Sequence, residues 1–402
     1  MTIACFASSF LGLLMLGCGK AEDTLPLSEA DSGQTPARQS MVARSLDLLK
    51  EKGAVIERAE PNGPVVVIRL VGSKDDPTDI SPKMLVGLAD LSSLRRLCLV
   101  NVKMQKASME ALGRLTQLRH LHLLGRGFVY RGDARASGDV LSGLHRLRSL
   151  NIANPHCFVK GGLNLAGLRS LRHLTLSRGR LKIPAQPACS LPQIESILLW
   201  RSIIEEEGWT RLGKLPKLKW FSFGYNELTN QAVKALSTSK TLEDVTLWSC
   251  PGNEPNSNAY RELVKLPQLR RLHVYPSGIV GGRPELSAET AKTLGQIPGL
   301  TTLGVTKLSP GRVHHFRNIR ELSLRQTSPE VNQELAKLPG LRRLRVRVEK
   351  KAELAGLERL RQLSELTVKY ARGIGEGQLT REAIRDALKA LPEHVRVRIV
   401  VD

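Results

Sequence analysis

One short string recurs along the chain and constrains everything else about it. LSSLRRLCL at 91–99 returns as LTQLRHLHL, LHRLRSLNI, LRSLRHLTL, LPQIESILL and LPKLKWFSF, and later as LPQLRRLHV, IPGLTTLGV, LPGLRRLRV and LRQLSELTV. The shared pattern is LxxLxxLxL. Its third apolar position marks Leu97, Leu121, Leu150, Leu174, Ile197, Phe221, Val245, Leu272, Leu303, Leu322, Leu344 and Leu366. Successive gaps are 24, 29, 24, 23, 24, 24, 27, 31, 19, 22 and 22 residues, and degenerate copies flank the series at Ile68 and Val395.

The period has a physical cause. A short strand turns alternate side chains to one face, so the LxL at the end of each copy sends two residues inward and leaves their neighbours outward. One turn cannot bury that face; a stack of turns can, and its ends need more polar covers. Met41–Lys52 reads as an amphipathic covering helix followed by a strand near Val65–Leu70, an N-terminal cap at about 41–72. Arg381–Leu391 and Val395–Val400 read as the opposite cap, 381–402. Between strands, Asn230–Leu236 and Val331–Leu338 have helical spacing. Hydrophobic residues make up 41% of the chain but aromatics only 4%, so the layers are built of Leu, Val, Ile and Ala.

With a dozen copies in agreement, the chain resembles the leucine-rich-repeat family over about residues 60–402. The resemblance implies an α/β repeat: a curved right-handed solenoid with a parallel concave sheet, helices or irregular turns on the convex side, and a role in recognition. The later part of the family consensus is kept at Asn226 and Cys250 but not at Val102, Arg126 or Pro155, so irregular turns are expected after the strands.

The amino terminus reads as an address. Ile3–Leu16 is an apolar run of export-signal length ending in Met15-Leu16-Gly17-Cys18. That ending is similar to a bacterial lipobox, which implies a signal peptide at 1–17, lipid attachment at Cys18 and anchorage in the bacterial cell envelope. A plain secretory signal, giving a secreted protein, is the alternative. Residues 18–40, rich in Ser, Thr, Pro, Gly and acids, read as a flexible tether, leaving 41–402 for the solenoid.

Catalytic patterns are missing. Gly208–Lys214 has the glycine and lysine spacing of a phosphate-binding loop, but Leu215 stands where a magnesium-binding hydroxyl belongs, and the segment leads from helix into strand, the wrong order. The glycine cluster at 373–377 is a loop. Nine histidines are spread along the repeats; His314 and His315 adjoin and would point apart on a strand. Six cysteines form no CxxC pair and no zinc spacing; with Cys5 and Cys18 set aside, Cys98, Cys157, Cys189 and Cys250 admit three pairings, and free thiols are the simpler expectation. No enzyme activity, metal or cofactor is expected.

Function should therefore lie in the outward strand positions. Early turns present Arg96, Cys98 and Val100, then His120, His122 and Leu124, then Ser149, Asn151 and Ala153, then His173, Thr175 and Ser177, a mild face. Middle turns present Leu198 and Trp200, Trp220, Trp248, then His273 and Tyr275, residue types that dominate binding surfaces. Later turns present Ser323 and Arg325, then Arg343, Arg345 and Arg347, then Thr367 and Lys369, interrupted by Glu321 and Glu365, so that end of the face is basic. The position two before each marker is repeatedly cationic (Arg95, Arg119, Arg148, Arg172, Lys219, Arg270, Arg320, Arg342), a basic rim. The net charge of +22 favours anionic partners generally.

The leading expectation is a surface-tethered, monomeric module that binds a protein or acidic ligand through Leu198, Trp200, Trp220, Trp248, His273, Tyr275, Arg325, Arg343, Arg345 and Arg347, touching membrane only through its anchor. A charge-driven binder of nucleic acid, acidic glycan or anionic membrane is the second reading; an export signal disfavours nucleic acid. A non-catalytic spacer or adaptor is the third.

Overall fold

The computed structural model describes residues 35–125, 139–153, 162–186, 190–226, 229–249, 257–275, 285–371 and 379–401. The signal peptide, most of the tether, Cys18, Cys157, Cys189, Cys250 and the 373–377 loop lie outside them. The chain divides into two units, Met1–Ser177 and Arg178–Asp402.

Unit 1 contains β1 (Val55–Arg58), β2 (Val65–Val71), β3 (Thr78–Ile80), β4 (Arg96–Val100), β5 (Val102–Met104), β6 (His120–Leu124), β7 (Ser149–Ala153), β8 (Leu163–Asn164) and β9 (His173–Ser177). Its main sheet runs β1-β2-β4-β6-β7-β9. The register places Ile68 beside Leu97, Leu97 beside Leu121, Leu121 beside Leu150 and Leu150 beside Leu174, so the sequence markers form one buried row. β1 pairs antiparallel with β2, a hairpin that the repeat pattern did not announce.

Unit 2 contains β10 (Arg180–Lys182), β11 (Ser196–Trp200), β12 (Ile203–Ile204), β13 (Trp220–Asn226), β14 (Asp244–Ser249), β15 (Arg271–Tyr275), β16 (Thr302–Lys307), β17 (Glu321–Gln326), β18 (Arg343–Val348), β19 (Glu365–Tyr370) and β20 (Arg396–Val401). From β11 through β20 each main-sheet strand pairs in parallel with the next, and the row Ile197, Phe221, Val245, Leu272, Leu303, Leu322, Leu344, Leu366 continues into Val397. The register sets Val397, which is exposed, beside Leu366, while Val395, which the sequence suggested, is buried two residues before it. Helices fill the return segments: Asn230–Leu236 as expected, Pro329–Leu335 slightly ahead of Val331–Leu338, and Arg381–Ala387 in the C-terminal cap.

Return segments are tied down by buried polar side chains that cap backbone groups, because a turn between strands leaves carbonyls without ladder partners. Asn332, fully buried, donates from Nδ2 to the carbonyls of Glu353 and Ala355 at 2.9 Å each and accepts from Thr327 Oγ1 at 2.6 Å. In unit 1, Ser108 Oγ donates to the Ile80 carbonyl at 2.6 Å and Gln117 Nε2 to that of Leu88 at 2.7 Å.

Three expectations need correction. The covering helix spans Pro36–Glu51, so 36–40 is helix and not tether: Pro36 fits the first helical turn, where an N–H has no partner to lose. His314 and His315 stand in a short 3-10 turn, Val313–Phe316, with ring centroids 3.9 Å apart, so they do not diverge as on a strand. Lastly, Arg96, Cys98, Val100, His122, Leu124, Asn151, Ser177 and Thr367 are buried, not presented to solvent. Cys98, buried, joins Val100 and Leu124 in an apolar cluster against which Ala153 packs, because apolar side chains in adjacent rows gain more by closing over each other than by facing water. The glycine and lysine segment of 208–214 lies in the helix Glu206–Gly213 and its C-cap Lys214, which confirms that it is no phosphate loop.

Candidate functional site

The outward face of unit 2 is a grid whose columns are strands and whose rows are set by register. One row carries Ser196, Trp220, Asp244, Arg271, Thr302, Glu321, Arg343, Glu365 and Arg396. The next carries Leu198, Ser222, Thr246, His273, Gly304, Ser323, Arg345, Thr367 and Arg398. A third begins with Trp200, Gly224, Trp248 and Tyr275 and later holds Arg347 and Lys369. Inward neighbours such as Ile197, Leu199, Val245 and Leu247 are buried, while Leu198, Trp200, Trp220, Trp248, His273 and Tyr275 are half-buried.

The third row forms a continuous ring series. Trp200 and Trp248 meet edge to face at 5.9 Å although a strand lies between them. They can do so because that strand contributes Gly224: a Cβ there would come within 2.6 and 2.7 Å of the Trp200 ring. Trp248 continues to Tyr275 at 4.5 Å. Arg325 then reaches back from β17, its guanidinium carbon 4.4 Å from the Trp248 ring centroid and 4.7 Å from that of Tyr275, within cation–π range.

A second gap serves His273. Gly304 stands beside it, and a Cβ there would fall 2.0 Å from His273 Nδ1 and 2.6 Å from the Tyr275 hydroxyl. His273 stacks on Tyr275 at 6.0 Å with Nδ1 3.2 Å from that hydroxyl, which is also hydrogen-bonded to Ser323. Burial lowers the His273 pKa, helped by Arg345 and Arg271 and opposed by Asp244 and Glu321, so the ring stays neutral at pH 7. Burial raises the Tyr275 pKa, and its hydroxyl keeps its proton.

The other end of the series is strained. Tyr225 takes φ of 55° and shifts the β13–β14 register between Gly224 and Asn226, an extra residue in the strand. The bulge lays Tyr225 on Trp200 at 4.5 Å, with the Arg201 guanidinium 5.6 Å from the Tyr225 ring. Arg201, Arg178 and Asn101 also have positive φ just after a strand, the irregular turns that the broken consensus implied.

Trp220 stands apart from this series, four residues before Gly224 and in register with Ser196 and Asp244. The fourth tryptophan, Trp209, is core, edge-on to Phe221 and Phe223 at 6.0 and 4.8 Å. Toward β20 the face becomes cationic. Arg343 pairs with Glu321, Arg271 Nε with Asp244 Oδ2 at 2.7 Å, and Arg398 with Glu365 at 3.3 Å, while Arg345 is exposed beside Thr367. Near the start of these strands a recess of about 420 Å³ is lined by Arg270, Thr301, Arg320, Glu321 and Arg343.

The structure therefore brings Trp200, Trp248, His273, Tyr275 and Arg325 into one cluster and leaves Trp220 and Leu198 beside it and Arg343, Arg345 and Arg347 further along the sheet. Sequence reasoning did not pick out Tyr225, Arg201, Gly224 or Gly304. The signal available was glycine at outward strand positions next to aromatic-bearing strands, which marks close approach. Among the described residues no group of His, Cys, Asp and Glu could hold a metal, and no helix is long and apolar enough to cross a membrane.

A family model described as a leucine-rich repeat region matches residues 78–239. Human Podocan-like protein 1 is 30% identical over 289 residues, which cover 68% of this chain and 48% of that protein, so the chain spans about half the length of that relative. Similar solved structures include an internalin of Listeria monocytogenes, at 15% identity and a TM-score of 0.40 over 95% of this chain and 99% of that one. A leucine-rich-repeat protein of Leptospira interrogans has 16% identity and a TM-score of 0.38 over 83% of each chain.

Proposed function

Because the chain folds as a leucine-rich-repeat solenoid, a fold that generally serves recognition, we propose that it is a non-catalytic module that binds an acidic protein on the outward face of unit 2. One observation carries this reading: the Trp200–Trp248–Tyr275 ring series is capped by the Arg325 guanidinium. Rings supply contact area at small entropic cost, and a guanidinium held over them is already ordered for a bidentate hold on a carboxylate. The cationic end of the face would steer an acidic partner and set its orientation. The module binds as a monomer, without cofactor. The Leu16-Gly17-Cys18 sequence supports tethering to a bacterial envelope through a lipid on Cys18.

The test compares capture of envelope proteins by the full chain and by a Trp200→Ala/Trp248→Ala/Arg325→Gln variant with an unchanged thermal melt. One acidic polypeptide kept by the first and lost by the second supports the reading; equal capture sinks it. For the anchor, Cys18→Ser should abolish incorporation of a labelled fatty acid, and undiminished labelling would remove Cys18 from that role.

A further inference from the structure

The rim of unit 1 carries a second, independent site. Arg95, Arg119, Arg148 and Arg172 occupy the same place on four successive turns. Their backbones are directly linked: the Arg119 N–H donates to the Arg95 carbonyl at 2.8 Å, Arg148 to Arg119 at 2.7 Å and Arg172 to Arg148 at 2.8 Å. The four residues therefore stand in single file at the strand spacing of about 4.8 Å, a column roughly 14 Å long, and the Arg95 guanidinium donates to the carbonyls of Ser92 and Leu94. Arg146 and Arg169 flank it in the preceding turns.

Two features separate this column from an ordinary solvated surface. Its strand-start segments, 91–99, 115–123, 144–152 and 168–176, contain no Asp or Glu, whereas the matching segments of unit 2 carry Glu195, Glu243, Asp244, Glu321 and Glu365. The crowding is also felt within the protein: the Arg95 pKa is lowered, first by burial and then by Arg119 and Arg146. Like charges at strand spacing repel, and an anionic ligand laid along them would relieve that repulsion.

We propose that this column binds a linear sulfated polysaccharide. Guanidinium forks match sulfate and carboxylate oxygens two at a time. A single file suits a rod-like chain better than the plane of a membrane. Nucleic acid is disfavoured because, among the described residues of unit 1, no Phe, Tyr or Trp stands beside the column as a platform on which bases could stack.

The experiment measures binding of a labelled heparin oligosaccharide to the full chain, to Arg119→Gln/Arg148→Gln/Arg172→Gln, and to Arg343→Gln/Arg345→Gln/Arg347→Gln, which loses the same charge from unit 2. Cation contacts from half-buried Arg119 and Arg148 and exposed Arg172 predict about tenfold weaker binding for the first variant and less than about twofold for the second. The charge-keeping Arg119→Lys/Arg148→Lys/Arg172→Lys variant, which covers the case of a misfolded glutamine triple, should fall between them. Equal losses in both glutamine variants would mean bulk charge alone and overturn the proposal, as would no loss in either. A single-stranded oligonucleotide, or vesicles with anionic lipid, bound as tightly as heparin and weakened by the same column variant would replace it with nucleic acid or membrane.

Discussion

Units 1 and 2 are built on the same repeat and the same parallel register, yet their outward faces are chemical opposites. In unit 1 the rows beside the markers close over: Cys98, Val100 and Leu124 cluster, and His122 and Asn151 are buried with them. Its charge is displaced to the rim. In unit 2 the corresponding rows hold the ring series and the arginines, and carboxylates interrupt the rim. Alternation along each strand explains how both are possible, since inward positions alone hold the stack and outward ones can diverge without touching it.

The strongest way to break this comparison is to cut the same inward position in both units. Leu121→Ala and Leu272→Ala each remove a fully buried marker and should each cost about 2–5 kcal/mol in denaturant unfolding. A marker that is much cheaper to lose in one unit would show that the inward rows are not equivalent.

Next comes Gly224→Ala. The added methyl overlaps the Trp200 ring, and about 1–3 kcal/mol of overpacking is expected together with a red shift of tryptophan emission. All four tryptophans lie in unit 2, so emission reports that unit alone and an unchanged spectrum would refute the close approach of the rings.

A smaller effect is expected from acid. The His273 pKa lies below its unfolded value near 6.5, so the unfolded state takes up the proton first. Its contribution is complete above about pH 6.5 and is lost as pH falls through the folded pKa. Stability of unit 2, followed by tryptophan emission between pH 7 and 5, should decline more steeply in the native chain than in His273→Gln; parallel profiles would exclude His273 as the cause. The smallest effect is Glu321→Gln, which leaves Arg343 without its cross-strand partner at an exposed site and should cost less than about 1 kcal/mol by thermal melt. A larger loss would mean that the ion pairs of unit 2 hold its sheet together.

What could be read from sequence follows the same division. The marker row was legible to within a residue because each copy repeats the same inward requirement; only at β20, where the pattern decays, does the register fall on exposed Val397 while the buried valine is Val395. Outward positions have no such repetition. Nothing in the order of residues says that Val100 and Leu124 close over each other, or that Arg325 reaches back two strands to Tyr275 and three to Trp248, since both depend on side-chain direction across the sheet. Tyr225 was illegible for another reason: a positive φ is expected at glycine, and tyrosine gives no hint of it. The helix start at Pro36 was hidden within a stretch whose composition reads as tether.

Gly224 also makes the ring series adjustable by design. Trp200 rests on bare backbone there, so the fit between the two positions is a matter of volume and can be exchanged: a methyl at 224 combined with a smaller side chain at 200 should restore what either change alone destroys. Such a compensated pair would leave a notch where the indole had been, and a ligand carrying a matching bulge would be accepted by the altered protein and refused by the native one.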